Sequence, residues 1–425
     1  MKQVIVGAVR TAFDLIGGKL SSISPVNIGI ETASYLLNKY KLNSKQFKFL
    51  VLGQVGQTPL YSNIARIIGS KLNNNSPATT VHSNCTSSLE ALKTVLDRMK
   101  NDDIPIALAG GLESMSQMYF LANINRKDKR FRTSEKIKDN WSDAKNELEL
   151  LDLLAKGLTC GITGLNMLEI TEIIGNNYKV TQEEQTDFVY ESYSRASKSY
   201  KNQENYLLKI NDLQYDELPQ QYENKDKNYF ARSPIILKKE NLENNSNFMQ
   251  YIHDKKDFSP KVSRHGTCSN GDGAGFLLIM SEEKAKQLGY YIQGEVVDID
   301  VTAIDPAVAL MAPGYSIPKL LDKNQINFDD VYMDIHIPFA NSALGYFKMA
   351  QRKYNQNWIK KFYDSNINRM GDSLSYSHPL AATNIRNVIN CLKVLNEDKT
   401  HKYAVASGCA AGGIAHSVLI KKYDN

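Results

Sequence analysis

Four side chains, far apart in the sequence, have the type and local setting for nucleophilic and acid–base chemistry: Cys85, His336, His378 and Cys409. Cys85 stands in Ser83-Asn-Cys-Thr-Ser-Ser88, after a short apolar run and just before a strongly helical stretch. A thiol at a helix start meets positive dipole ends and free N–H groups, so the position predicts a stabilised thiolate. The same N–H groups would hold a developing oxyanion. A buried structural cysteine is the competing reading. His378 precedes Pro379 at another helix start and reads either as a general base or as a satisfied core histidine. Cys409 lies between Gly408 and Ala410-Ala-Gly-Gly413, read as a flexible loop that lets a substrate approach closely. His336, in Asp334-Ile-His-Ile-Pro-Phe-Ala340, follows a buried strand end, where a polar residue often reaches a site.

The surrounding pattern supplies the elements that would position these groups. Val4 to Val9 reads as a buried strand closed by Arg10, residues 27–40 as a helix, and Phe49 to Gly53 as a second strand. Asn63 to Leu72 is helical, Thr79 to His82 a short strand, Leu89 to Met99 a helix, and Ile104 to Ala109 a strand ended by Gly110-Gly111. Such alternation predicts an α/β protein with largely parallel sheets. From 118 to 250 charged and amide residues dominate, as in Asn125 to Arg132 and Glu240 to Ser246, and these runs read as solvated faces. Thr181 to Ala196 is a capped helix within that stretch, with Glu183 and Glu184 in its first turn. Strand texture resumes at Gly273 to Met280, with a helix from Glu282 to Leu288. In the last third, Val331 to Ile335 is a strand, Ala340 to Gln351 a helix, Ala382 to Leu395 a helix, and Tyr403 to Ala406 a strand. Turn–Cys85–helix–strand–Gly pair and turn–His378–helix–strand–Gly pair are the same pattern twice. The chain therefore reads as two similar halves, residues 1–117 with 251–285 and residues 286–425, with 118–250 inserted in the first. Chemistry is expected at their junction.

The 425 residues are 42% hydrophobic and 23% charged, which excludes a disordered chain, and the length excludes a small disulfide scaffold. Lys and Arg number 51 against 46 Asp and Glu; the resulting +5 is too weak a field for a dedicated nucleic-acid binder. Five cysteines without a CxxC, and a His82–Cys85 pair with no second pair, give no metal motif. No apolar stretch is long enough for a membrane span, and the N-terminal run is too short for a signal peptide, so a cytoplasmic protein with reduced thiols is expected.

At these same points the sequence resembles the thiolase family, over nearly the whole chain. Val4 to Phe13 with Gly17-Gly18 is similar to the family's opening strand and turn, and Ser83 to Ser88 to the segment of the acyl-accepting cysteine. Ala109-Gly-Gly-Leu-Glu-Ser-Met-Ser116 resembles its AGG-x-ES-M-S signature. Met167 to Glu172 and Val180 to Gln185 resemble the loop-domain pattern, and Val262 to Ala274 the segment ending in DGA. His336-Ile-Pro-Phe-Ala340 stands where the family has NEAFA or HEAFA, and Ser377-His-Pro with Cys409-Ala-Ala-Gly-Gly413 completes the set.

The resemblance implies a layered α-β-α-β-α fold and 3-ketoacyl-CoA thiolysis in fatty-acid oxidation. Cys85 would take the acyl group after His378 draws off its proton, and Cys409 would protonate the acetyl-CoA enolate at C2. His378 and a water oriented by His336 would hold the enolate oxygen, and N–H groups near Cys85 and Ala411 the other oxyanion. The pantetheine is expected near Met167 and Cys268 and the phosphates near Arg232, with coenzyme A as co-substrate and no metal or other cofactor. His336, Leu380-Ala-Ala-Thr383 and the Cys-Ala-Ala-Gly-Gly run resemble the thiolase subunit of the trifunctional type. That implies a homodimer or tetramer and a partner α subunit carrying hydratase and dehydrogenase activities. Ser377, Asp372 and Asn384 replace family glycines, and Ile337-Pro338 a Glu-Ala pair. A ketosynthase-type condensing enzyme, an acetoacetyl-CoA-forming thiolase and a lapsed scaffold subunit are the alternatives.

Overall fold

The computed structural model describes residues 2–57, 59–125 and 127–425. Met1, Thr58 and Arg126, the last within the charged run after Asn125, lie outside the described residues. The main body is an eleven-stranded mixed sheet. Its path runs Val331–Ile335, Tyr403–Ala410, Ile414–Lys421, Gly294–Ala303, Gln3–Thr11, Gly271–Ser281, Ile106–Ser114, Phe49–Gly53 and Ala78–Val81. The path is two half-sheets joined edge to edge. The joint is short, Gln3 to Ile5 pairing antiparallel with Gly294 to Val296.

Two helices lie between the half-sheets, Ser87–Asn101 after Cys85 and Thr383–Glu397 after His378. Leu89, Leu92 and Val95 of the first and Ile385, Val388 and Ile389 of the second are buried in one apolar cluster. That cluster also takes residues from both half-sheets, such as Val51, Leu277, Tyr332 and Ala404. Pro25–Lys39 and Ile64–Lys71 cover the outer face of the N-terminal half-sheet, where Ile28, Leu36, Ile64 and Ile68 are buried. Pro313–Lys323 and Ala340–Tyr354 cover the other half-sheet. The order is thus helix, sheet, helix, sheet, helix. Burial of an apolar stripe on each helix is the main stabilising term, roughly 1.5–3 kcal/mol for each large aliphatic side chain enclosed.

Two strands run further than the sequence pattern predicts. The strand expected to end at Gly110-Gly111 continues through the pair to Ser114. A Cβ on Gly111 would lie 1.9 Å from the Ala381 carbonyl oxygen, so the glycine lets the start of the His378 helix press on the sheet. Likewise the strand expected to end at Ala406 continues to Ala410, so Cys409 is a buried ladder residue opposite Ala415 and not part of a flexible loop.

Between residues 118 and 250 the chain is mainly helical, with a hairpin of Phe120–Asn123 and Glu149–Asp152 and a two-residue strand at Leu207–Leu208. The described residues of the two charged runs are mostly exposed, pinned by buried Phe131 and Leu242. Gln182–Ser199 carries the expected capping box from Thr181. A fully buried ion pair ties this region to the core: Arg10 donates to both Asp216 carboxylate oxygens at 2.6 and 2.7 Å. Removing either partner would strand a charge in the core and cost about 3–5 kcal/mol.

Candidate active site

The two central helices start at the junction of the half-sheets, and there the expected side chains meet. Cys85 sits in a tight turn whose preceding residue, Asn84, has φ 47°. The turn is fastened from three sides. Ser87 Oγ donates to the Asn84 carbonyl at 2.6 Å, Asn84 Nδ2 donates to the Ala411 carbonyl at 3.0 Å, and Asn384 Nδ2 donates to the Cys85 carbonyl at 2.7 Å. Cys85 Sγ and one nitrogen from each of His336 and His378 all lie within 4.8 Å of one another. The two imidazoles face each other, with centroids 4.0 Å apart and planes inclined by 31°.

Hydrogen bonds orient both rings. Thr383 Oγ1 donates its proton to the Pro379 carbonyl at 3.0 Å, so at 2.7 Å from His378 Nδ1 it must accept. Nδ1 of His378 therefore carries the ring proton and Nε2 presents the lone pair. His336 Nδ1 lies 2.6 Å from Ser373 Oγ. Among the described residues, Nε2 of each ring is buried without a hydrogen-bond partner. These atoms border a cavity of about 720 Å3, which Cys85, Cys409, Cys268, Met167, Arg264 and Phe339 help to line.

Electrostatics corrects one expectation. Burial pushes the Cys85 thiol up to about 12, helped by Glu113; its own amide and that of Ala411 pull only part of the way back. Burial likewise depresses His378 to about 3, with the fully buried Arg386 adding to it, and lowers His336 further than the usual imidazole range. The resting pair is neutral thiol and neutral imidazole, not a preformed thiolate. Proton transfer must accompany attack. Cys85 alkylation by iodoacetamide is then expected to accelerate about tenfold per pH unit from neutrality to pH 10, because the thiolate fraction grows so far below the pKa. Peptide mapping should find Cys85 labelled ahead of the buried Cys160 and Cys391, and a rate already flat at pH 8 would contradict the neutral resting state. Burial works to raise Cys160, but its Thr163 hydroxyl and backbone hydrogen bonds outweigh it; enclosure is what keeps this thiol from reagent.

The departures from family glycines are built into this scaffold. Ser377 adopts φ 71° and ψ 174°, a region almost restricted to glycine. Its side chain lies where Gly271 has no Cβ: a methyl there would be 2.7 Å from Ser377 Oγ and 2.2 Å from the Asp14 carbonyl. Asp372 caps the single helical turn Ser373–Tyr376, accepting from the Leu374 amide at 3.0 Å and from Ser192 Oγ at 2.9 Å. That turn begins at the partner of His336, and Ser377, which follows it, leads directly into His378. Ser377→Gly is expected to relieve about 1–3 kcal/mol of strain and return roughly 0.5–1 kcal/mol as chain entropy. The net is a gain of about 1 kcal/mol, which for a chain of 425 residues is a melting temperature higher by roughly 1 °C at fixed scan rate. An unchanged or lower value would mean that the packing of Ser377 Oγ outweighs the strain.

Of the expected coenzyme A contacts, Met167 and Cys268 line the cavity. Arg232 does not; it is exposed at the end of the Lys227–Ala231 helix, whereas Arg264 stands in the cavity wall. Arg264 lies within the DGA segment, where side-chain direction in an irregular loop leaves no pattern in the sequence. Glu113 stands in the signature at 109–116, whose spacing alone gives it no role. It is buried, pushed up to about 7 by burial, and accepts from the Val55, Gly56 and Ala381 amides, so one carboxyl ties the two halves together.

Comparison with known proteins agrees with this geometry. The family model for the thiolase N-terminal domain matches residues 3–283, and that for the thiolase C-terminal domain residues 290–422. A probable 3-ketoacyl-CoA thiolase of Caenorhabditis elegans is 30% identical, with 99% of this chain and 94% of that protein covered. A 3-ketoacyl-CoA thiolase of Aliivibrio fischeri is 26% identical, with 98% and 95% covered. Acetyl-CoA acetyltransferase from Syntrophomonas wolfei shares the fold at a TM-score of 0.84 and 22% identity, covering 100% of this chain and 99% of that one. Human mitochondrial 3-ketoacyl-CoA thiolase in complex with CoA does so at 0.81 and 21%, covering 100% and 98%. With both family domains matched in order and the four expected side chains gathered at the junction between them, the chain belongs to the thiolase family.

Proposed function

We propose that this protein is a 3-ketoacyl-CoA thiolase, cleaving 3-ketoacyl-CoA with coenzyme A to acetyl-CoA and a shortened acyl-CoA in fatty-acid oxidation. The observation that carries the reading is the convergence on one cavity of Cys85, Cys409 and two imidazoles whose Nε2 atoms have no hydrogen-bond partner among the described residues. In this reading Cys85 attacks the 3-keto carbon while His378 Nε2 takes its proton. The Cys85 and Ala411 amides, both facing the sulfur, hold the tetrahedral oxyanion. The C2–C3 bond then breaks, Cys409 delivers a proton to C2, and acetyl-CoA leaves. The enolate oxygen is held by protonated His378 and by a water that His336 orients. Coenzyme A next attacks the thioester, passing its thiol proton to the Cys409 thiolate. The proton stored on His378 returns to the departing Cys85 sulfur. No metal or redox group enters any step.

The body in this reading divides into halves at 1–117 with 251–285 and at 286–425, around the inserted 118–250. The edge strand Ala78–Val81 keeps partly exposed residues, in keeping with assembly as a homodimer or tetramer. An α subunit with hydratase and dehydrogenase activity and a cytoplasmic location belong to the same reading. Among the described residues no helix is long and apolar enough to cross a membrane. Pantetheine would lie along Met167 and Cys268, with the phosphates toward Arg264 and Arg232 further out. Arg264→Ala should therefore raise KM for coenzyme A more than Arg232→Ala does, with kcat little changed in either. The reverse order would return the phosphate role to Arg232. The function itself is tested by mixing the protein with free coenzyme A and either acetoacetyl-CoA or a longer 3-ketoacyl-CoA. Formation of acetyl-CoA from the longer substrate supports it, cleavage of acetoacetyl-CoA alone points to the short-chain alternative, and cleavage of neither refutes it.

A further inference from the structure

We propose that Cys85, His336 and His378 also form a binding site for a thiophilic divalent ion, Zn2+ above all, which reversibly arrests the enzyme. No metal motif is present in the linear spacing, since the three residues are separated by 251 and 42 positions, 336 − 85 and 378 − 336. The fold nevertheless brings one donor atom from each within 4.8 Å of the others, close enough for side-chain rotation to reach the roughly 3.3–3.6 Å that separates ligands around one tetrahedral ion. Both Nε2 atoms are buried, unpartnered among the described residues, and carried by rings that border the same cavity as Cys85.

The supporting layer suits an ion as well. A metal-bound imidazole is usually fixed through its second nitrogen. Here Nδ1 of His378 is held by Thr383, itself anchored to the Pro379 carbonyl, and Nδ1 of His336 by Ser373. One thiolate and two imidazoles are a soft-to-borderline donor set, favouring Zn2+ or Cd2+ and rejecting Mg2+. The fourth position opens on the cavity and is left to water. Binding forms a Zn–S bond and two Zn–N bonds and releases the Cys85 thiol proton to solvent; chelation reverses it. No oxidant or reductant is involved.

The ion site stands on the geometry, whereas arrest of catalysis rests on the reading of Cys85 as the nucleophile. The test therefore reads binding without activity. Zn2+ uptake is measured by calorimetry, and Cd2+ by the ultraviolet band of a cadmium–thiolate bond. Wild-type protein should take up one equivalent with the band, and Mg2+ should produce neither. Cys85→Ser, and wild-type protein alkylated at Cys85, should lose the band. His336→Ala should weaken Zn2+ binding at least about tenfold, as loss of an inner ligand exceeds the 10–100-fold typical of outer-shell changes. Cys268→Ser and Cys409→Ser should keep both signals. Absence of uptake by wild type, or a band that survives Cys85 alkylation and disappears in Cys268→Ser, overturns the site. Alkylated wild type carries the test if His336→Ala does not fold. Bound Zn2+ with no thiolase activity to inhibit would leave the site standing and refute the functional reading instead.

Discussion

A Cys85→Ala protein is expected to lose every reaction of the proposed enzyme, including exchange of an acyl group between a simple acyl-CoA and free coenzyme A. The position leaves no substitute. Cys268 and Cys409 line the same cavity, but neither is in the cluster with the imidazole nitrogens, and burial raises both thiols well above the usual range. The Cys85 turn, by contrast, is held by Asn384, by Asn84 and by Ser87, with the Cys85 and Ala411 amides facing the sulfur. Removing the sulfur leaves these hydrogen bonds, so the fold should survive while the acyl-enzyme cannot form. Retained far-ultraviolet dichroism with no acyl exchange, followed by radiolabelled coenzyme A, is the expected result. Exchange above about one thousandth of the wild-type rate would assign the nucleophile elsewhere, since loss of a catalytic nucleophile costs roughly 10⁶-fold in well-studied cases.

What the sequence disclosed followed from periodicity and local chemistry. Phe49–Gly53 and Val331–Ile335 are buried apolar runs bounded by polar residues, and they occur as read. The Thr181 cap with Glu184 is a local hydrogen-bond pattern, and it also forms as read. The small residues around Cys409 carry a loop's signature in the sequence; only the ladder with Ile414–Lys421 makes them a strand. The pattern shows neither that partner strand nor Gly294–Ala303, although the pairing of Gly294 to Val296 with Gln3 to Ile5 joins the halves. The neutral resting thiol was not legible either. Helix dipoles are local and can be read from spacing, whereas burial, which dominates here, comes from the assembled layers. Distances between Cys85 and His336 belong to the same class, and so does the difference between Arg232 and Arg264.

The altered glycine positions bear on whether the site could have lapsed. Asn384 holds the Cys85 carbonyl, and its side chain lies where a Cβ on Gly408 would intrude, at 2.4 Å. Asp372 caps the turn between the two histidine supports and reaches helix Gln182–Ser199 through Ser192. Gly271 makes room for Ser377. Decay would scatter unmatched changes. Here each new side chain has a partner: Asn384 the Cys85 carbonyl, Asp372 the Leu374 amide and Ser192, and Ser377 the space left by Gly271.

Cys409→Ser is the experiment that separates the two thiols. Acyl exchange between a simple acyl-CoA and coenzyme A forms no carbanion, so it should persist in this variant through Cys85 and His378. Cleavage of 3-ketoacyl-CoA needs a proton delivered to C2, and there a hydroxyl is a far weaker acid than a thiol. Burial already holds the Cys409 thiol above its usual range, with Cys85 adding to it, so the wild-type group keeps its proton until the enolate forms. Serine would keep it too tightly to release. The substitution itself is nearly isosteric at a ladder position, and the register opposite Ala415 does not depend on the side chain. General acid–base catalysis contributes about 10²–10⁴-fold, and the loss of C–C cleavage should fall in that range with exchange reduced far less. Equal loss of both reactions would mean that Cys409 supports the Cys85 turn and moves no proton. Cleavage near the wild-type rate would require another proton donor at C2, and the two-thiol mechanism would have to be given up.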